Sequence, residues 1–227
     1  MSISTISQSQ ASTALTTPTI EDVKNNLQNP HNWLYLIPTI GAVVIGTLFA
    51  PNFLLGMAAG VAIGFTAIII TKALATLGIF KTEGKNSEYM KQLFAFPLLG
   101  TLIAPVAEEL VFRGGIQPLL TRTLIWLVPT TTAIFAGTGL SIAAAVSIVA
   151  TAAIFGFAHI FNQHQNSHIQ AIITAVEGVA FGILAAQFGL GASIAAHLTI
   201  NTILITLGKI VYKAAETSNP SGQLIRA

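Results

Sequence analysis

The sequence predicts an all-α fold, a polytopic transmembrane helix bundle of roughly six to eight spanning helices. Three observations predict it. Of 227 residues, 53% are hydrophobic and only 8% charged, against about 25% charged in a typical soluble domain. Apolar runs near the length a spanning helix needs follow one another from Trp33 to Val211. Between Lys91 and Lys209 only five charged residues occur: Glu108, Glu109, Arg113, Arg122 and Glu177. So few charges cannot cover a water-facing surface, and lipid becomes the chain's main solvent. A net charge of +2 gives no reason to expect nucleic acid as a partner. The absence of cysteine removes disulfides, thiolate metal sites, a cysteine nucleophile and lipidation of the chain itself.

Residues 1–30 are rich in Ser, Thr and Gln and have neither a basic n-region nor an apolar h-region. They read as a flexible polar tail with a short helix near Glu21 to Leu27, not as a signal peptide. The stretch 31–91 reads as two membrane helices and a basic loop. The first helix, 33–50, carries Trp33 and Tyr35 at an interface, near His31. Pro51-Asn52 turns the chain. The second helix, 53–71, carries Gly56, Gly60 and Gly64, a small-xxx-small stripe that lets helices approach closely. Lys72, Lys81, Lys85 and Lys91 then form a basic loop, which the positive-inside rule places in the cytoplasm together with the N-terminal tail.

Residues 92–211 read as one membrane core, followed by a polar tail at 212–227. Its expected spans are 92–120, 123–140, 141–161, 168–187 and 190–211. Pro105 is expected to start a fresh helical segment, and Gly114-Gly115 to break the run. With the first two helices this makes seven crossings. That count puts the basic C-terminal end opposite the basic loop, against the positive-inside rule, so 92–120 is the segment to read as two helices.

A charge at the centre of a spanning helix costs on the order of 2.5–3.5 kcal/mol, so each of the five asks for a partner or a hydrated cavity. Arg122 lies between spans and reads as an interfacial anchor. Glu109 and Arg113 are four apart, on one helix face, and can pair. Glu108 points about 100° away and has no local cation. A carboxyl held away from water and from cations suits general-base chemistry. His159 follows Phe155 by four residues near the end of a span. His197 and Asn201 are also four apart, in the last apolar run. Each alone reads as a helix–helix contact. If they converge, one pocket holds a carboxylate, two imidazoles and a carboxamide. Glu177 sits mid-span beside Gly178 and reads as a polar helix contact to Arg113 or a histidine, or as part of a cavity wall. His164 and His168 read as solvated loop residues.

Three motifs stand in order on successive apolar runs: EELVFR (Glu-Glu-x-x-x-Arg), FGFAH (Phe-x-x-x-His) and HLTIN (His-x-x-x-Asn). Together they resemble the CAAX protease and bacteriocin-processing family of intramembrane peptidases, over about 92–211. The resemblance implies a membrane endopeptidase that is neither a serine nor a cysteine enzyme. Glu108 would activate a water for attack on a peptide carbonyl, and His159 would hold that water and share its proton. His197 and Asn201 would donate to the oxyanion, and Glu109 and Arg113 would support the site through their ion pair. Phe155 and Glu177 are candidates for the cavity wall. The implied partners are the lipid bilayer and a protein or peptide substrate, a lipidated one included, in a bacterial cell membrane. The same residue types suit zinc. With no HExxH in the sequence and Arg113 nearby to repel a dication, the expected cofactor is none. Two other readings compete: a non-catalytic immunity or scaffold protein on the same fold, and a proton-coupled carrier, which would need internal repeats that the sequence lacks.

Overall fold

The computed structural model describes residues 52–78, 98–134, 137–162 and 167–218, together with Glu21, Lys24, Asn25 and Gln28. These four are helical and exposed, in the short helix expected there. The expected span 33–50, the lysines at 81, 85 and 91, His31, His164 and the tail beyond 218 lie outside the described residues. Among the described residues the fold is all-α with no strand; one isolated bridge joins Ile134 to Ser141. The helices are α1 (Phe53–Thr76), α2 (Ala104–Val111), α3 (Gln117–Leu127), α4 (Ile142–Ala158), α5 (Ser167–Phe188) and α6 (Leu190–Ser218).

Four of these are long and apolar enough to cross a membrane: Phe53–Leu74, Ile142–Phe161, Ser167–Phe188 and Leu190–Ile210. They match four of the expected spans. The span expected at 123–140 is not there. Helix α3 ends at Leu127, Pro129–Thr132 forms a 3-10 turn, and the chain crosses a loop to Ser141, whose Oγ accepts from Ala144 N (3.1 Å) and caps α4. Mean apolarity misled here: the segment contains Pro129, three threonines in a row, and Gly137 and Gly139 with φ of 77° and 70°.

The break expected at Pro105 and Gly114-Gly115 is also not there. Residues 99–127 form one helical run with two π turns inserted, Leu99–Ile103 and Phe112–Ile116. Each π turn immediately precedes a segment with proline at its first turn, Pro105 in α2 and Pro118 in α3. Proline has no N–H for the carbonyl four residues earlier and its ring crowds that carbonyl. A π turn shifts bonding to i→i+5, as in Ala104 N to Leu99 O and Gln117 N to Phe112 O, so the helix passes the proline without breaking. The two π turns bracket the segment that holds Glu108 and Glu109.

Helix α6 is the axis of the bundle: its spanning window is 61% buried, against 28% for α1. The glycine stripe of α1 lies on it. A Cβ at Gly56 would strike the backbone of Ala192, one at Gly60 would lie 2.5 Å from Ala196 O, and one at Gly64 only 3.7 Å from Ile200 Cγ1. Stripes spaced by four residues on both helices thus meet backbone to backbone at Gly56 and Gly60 and open to ordinary contact at Gly64. Helix α5 joins α6 through the single residue Gly189, whose φ of 89° makes the turn. Phe155, Phe181, Leu184, Ala192, Ala196 and Ile200 form the apolar core, with Phe112 packed against it.

The glycine contacts give a graded prediction. Gly60→Ala should destabilise the protein by about 1–3 kcal/mol, because overpacking must push two helix backbones apart. Gly64→Ala should be neutral or slightly stabilising. Thermal unfolding in detergent, compared between the two variants, checks this.

Candidate active site

The Glu109 carboxylate is fully buried and held by three side chains, one from its own helical run and two from α6. Its Oε1 accepts from Arg113 Nη1 at 3.0 Å and from His197 Nδ1 at 2.9 Å. Its Oε2 accepts from Ser193 Oγ. The Ser193 hydroxyl also lies 3.0 Å from Phe181 O. With one proton it donates to one acceptor at a time, and the carboxylate is the stronger acceptor. Arg113 is 3% exposed and Glu109 0%. The i,i+4 pairing expected from the sequence is therefore present and dry.

Arg113 extends the network to α5. Its Nη2 donates to Gly178 O at 3.0 Å, and one turn on, Gln117 Nε2 donates to Gly182 O at 3.1 Å. Both glycines are needed for this approach: a Cβ at Gly178 would lie 2.9 Å from Arg113 Nη2, and one at Gly182 2.9 Å from Gln117 Oε1. The Arg113 guanidinium also rests over the Phe155 ring at 4.3 Å, a cation–π contact that strengthens where water is absent.

Glu108, the adjacent residue, is placed differently. Its side chain is 31% exposed, and Oε2 lies 3.6 Å from His197 Nε2. That spacing is too long for a direct hydrogen bond and suits two groups that share one water. One glutamate is locked and the other is free, the division that their 100° offset implied.

The imidazoles have defined tautomers. His159 Nδ1 lies 2.8 Å from Phe155 O. A carbonyl only accepts, so Nδ1 carries the proton and Nε2 keeps its lone pair. His197 Nδ1 faces the Arg113-bound carboxylate, so it too is the donor, and Nε2 turns toward Glu108. The His197 ring stacks on Phe181 at 4.7 Å and 21°. Phe155 meets both rings edge-on, His159 at 4.8 Å and His197 at 5.8 Å. Asn201, one turn beyond His197, donates Nδ2 to Gly100 O in the first π turn at 3.0 Å. Its second N–H and its Oδ1 are left for other partners.

The structure thus brings Glu108, Glu109, Arg113, Phe155, His159 and His197 into one chain of contacts, with Asn201 on the next turn of α6. Glu177 does not pair with Arg113, which takes the neighbouring Gly178 carbonyl instead. Its Oε1 is buried without a hydrogen-bond partner, within charge–charge reach of His197. Arg122 and His168 are both exposed, but neither is in a loop: Arg122 lies inside α3 and His168 in the first turn of α5. Sequence reasoning missed Ser193, Gln117 and Phe181. Gln117 stands four residues after Arg113, a spacing that could have marked it. Among the described residues, no three His, Asp or Glu side chains are arranged to hold a cation.

The family model described as Type II CAAX prenyl endopeptidase Rce1-like matches residues 90–203, half of the chain. The chain belongs to this family. It is a membrane protein of the CAAX-type intramembrane protease kind. No curated protein and no solved structure matches it. The matched range of the CAAX-type chain contains every residue of the cluster, from Gly100 to Asn201, and leaves α1 outside.

Loss of either support of Glu109 should be visible in stability. Arg113→Gln strands a buried carboxylate and should cost about 3–5 kcal/mol. Ser193→Ala removes one neutral donor and should cost about 1–3 kcal/mol. Thermal unfolding of both variants in one detergent checks the order.

Proposed function

We propose that the protein hydrolyses a peptide bond within the membrane, with Glu108 as the base that activates water. The observation that carries this reading is the contrast between adjacent glutamates. Glu109 has its oxygens taken up by Arg113, His197 and Ser193. Glu108 is part-exposed, with the His197 Nε2 edge 3.6 Å away and Arg113 within charge–charge reach but hydrogen-bonded to Glu109 instead.

In this reading Glu108 and the lone pair of His159 Nε2 hold one water between them. Attack on the substrate carbonyl moves a proton from that water to Glu108, which returns it to the leaving amine. Asn201 offers its second N–H to the oxyanion. His197 has its Nδ1 proton committed to Glu109 and presents its Nε2 edge beside Glu108, one turn from Asn201. Glu109, Arg113 and Ser193 orient the His197 ring and are positioning residues. The chemistry is metal-independent: the Glu109 oxygens are occupied by hydrogen-bond donors, and a guanidinium 3.0 Å away would oppose a dication. The substrate is a peptide segment that reaches the site from the bilayer. The family's description makes a prenylated C-terminal tail the first to try.

Two outcomes test this. Glu108→Gln should lower turnover of a membrane-presented peptide by about 10²–10⁴-fold while thermal unfolding stays near that of the parent; full activity in Glu108→Gln sinks the mechanism. Asn201→Ala should lower kcat by about 10²–10³-fold, the usual loss of one oxyanion donor, with a smaller change in KM. A Michaelis analysis in detergent separates the two parameters.

A further inference from the structure

A cavity of about 260 Å³ adjoins the catalytic cluster on the far side of Arg113, lined by Arg113, Gln117, Pro118, Thr121, Arg122, Ala144, Ala185 and Ala186. Its position in the bundle is defined by the helix ends around it. Ala144 is in the first turn of α4, and Ala185 and Ala186 are in the last turn of α5. The loop that follows α3 and the Gly189 turn meet at this same end, where Gln187 Nε2 donates to Thr138 O at 2.7 Å. The cavity therefore sits at the level where spanning helices stop, which is headgroup depth rather than the hydrocarbon midplane.

Its lining carries two arginines and no acid. Arg122 is exposed, and Trp126, one turn further along α3, is 80% exposed, as suits an interfacial belt. At the other end Arg113 and Gln117 are 3% and 6% exposed, and each keeps a buried polar atom without a partner: the Arg113 Nε–H donor and the Gln117 Oε1 acceptor. Both atoms are closed off from solvent, so this end of the cavity is a dry polar floor rather than a set of free contacts. The lining alanines leave room for a small group between α3 and the α4–α5 pair.

We propose that this cavity binds the headgroup of an anionic phospholipid, with the phosphate on the exposed Arg122. A basic pocket between membrane helices at the interface is the physical setting such headgroups favour. A phosphoglycerol headgroup brings an uncompensated negative charge to this lining, which has two arginines and no acid; phosphocholine carries a compensating cation. Binding at this site does not depend on the peptidase chemistry.

The test uses the full chain reconstituted in nanodiscs with equal amounts of phosphatidylglycerol and phosphatidylcholine. Lipids retained after gentle release are counted by native mass spectrometry. The expected result is a preference for phosphatidylglycerol that falls about fivefold in Arg122→Gln, the usual effect of one basic residue at a membrane surface. Arg122 is exposed, so this variant should unfold at the parent's temperature. Ala185→Leu, which fills the cavity, should weaken retention without removing a charge. The preference should persist in Glu108→Gln. Equal retention of both lipids, or a preference unchanged in Arg122→Gln, overturns the proposal. Displacement of the lipid by millimolar inorganic phosphate alone would overturn the lipid assignment in favour of a free-anion site.

Discussion

One buried carboxylate organises this protein. Away from water, ionised Glu109 must have its oxygens engaged by donors, and the chain supplies them from separate places: Arg113 from the same helical run, Ser193 and His197 from α6. Satisfying it fixes the register of α2 against α6. Arg113 then reaches Gly178 and ties α5 to the same point. Replacing such a network by apolar side chains is often neutral or stabilising. What the network supplies here is uniqueness: the 99–127 run and α6 meet in one arrangement, and the His197 ring is held in one orientation.

The same constraint explains why neighbouring glutamates behave differently. Within α2, one residue of rotation turns Glu109 into the bundle and leaves Glu108 on a partly exposed edge. The π turns on either side keep the run continuous across Pro105 and Pro118. Had the helix broken at Gly114-Gly115, Arg113 would stand at a free end, with no following turn to carry Gln117 to Gly182. The glycines at 178 and 182 complete the device by leaving bare backbone carbonyls for Arg113 and Gln117.

What was legible in the sequence was local or periodic. Spacing by four gave the Glu109–Arg113 pair and the stripe at Gly56, Gly60 and Gly64, because one helix turn places those residues on a common face whatever the fold. The three motifs gave the family. Ser193 was illegible because a serine in an apolar run also reads as a small packing residue, and its role depends on Glu109, 84 positions away. Phe181 was illegible for the same reason: an apolar run does not say which phenylalanine a histidine will stack on. The segment 123–140 was misread because averaged hydropathy hides the turn chemistry of Pro129, Gly137 and Gly139. The π turns had a signal, a proline at 105 and at 118 inside an otherwise helical run, but proline alone does not distinguish a break from an i→i+5 detour.

The arrangement also bears on how a membrane protein holds a reactive carboxyl. Every charge placed among the helices must be compensated, yet a base that is fully compensated is no longer a base. Pairing adjacent glutamates resolves the conflict. Glu109 takes the guanidinium, the hydroxyl and the imidazole proton, so Arg113 forms its ion pair there and acts on Glu108 only at a distance. Glu108 remains uncompensated only because its edge of the bundle is open, 31% exposed, where water rather than a countercharge meets it. Burying Glu108 as deeply as Glu109 would demand a partner for it and would remove the property that the proposed mechanism needs.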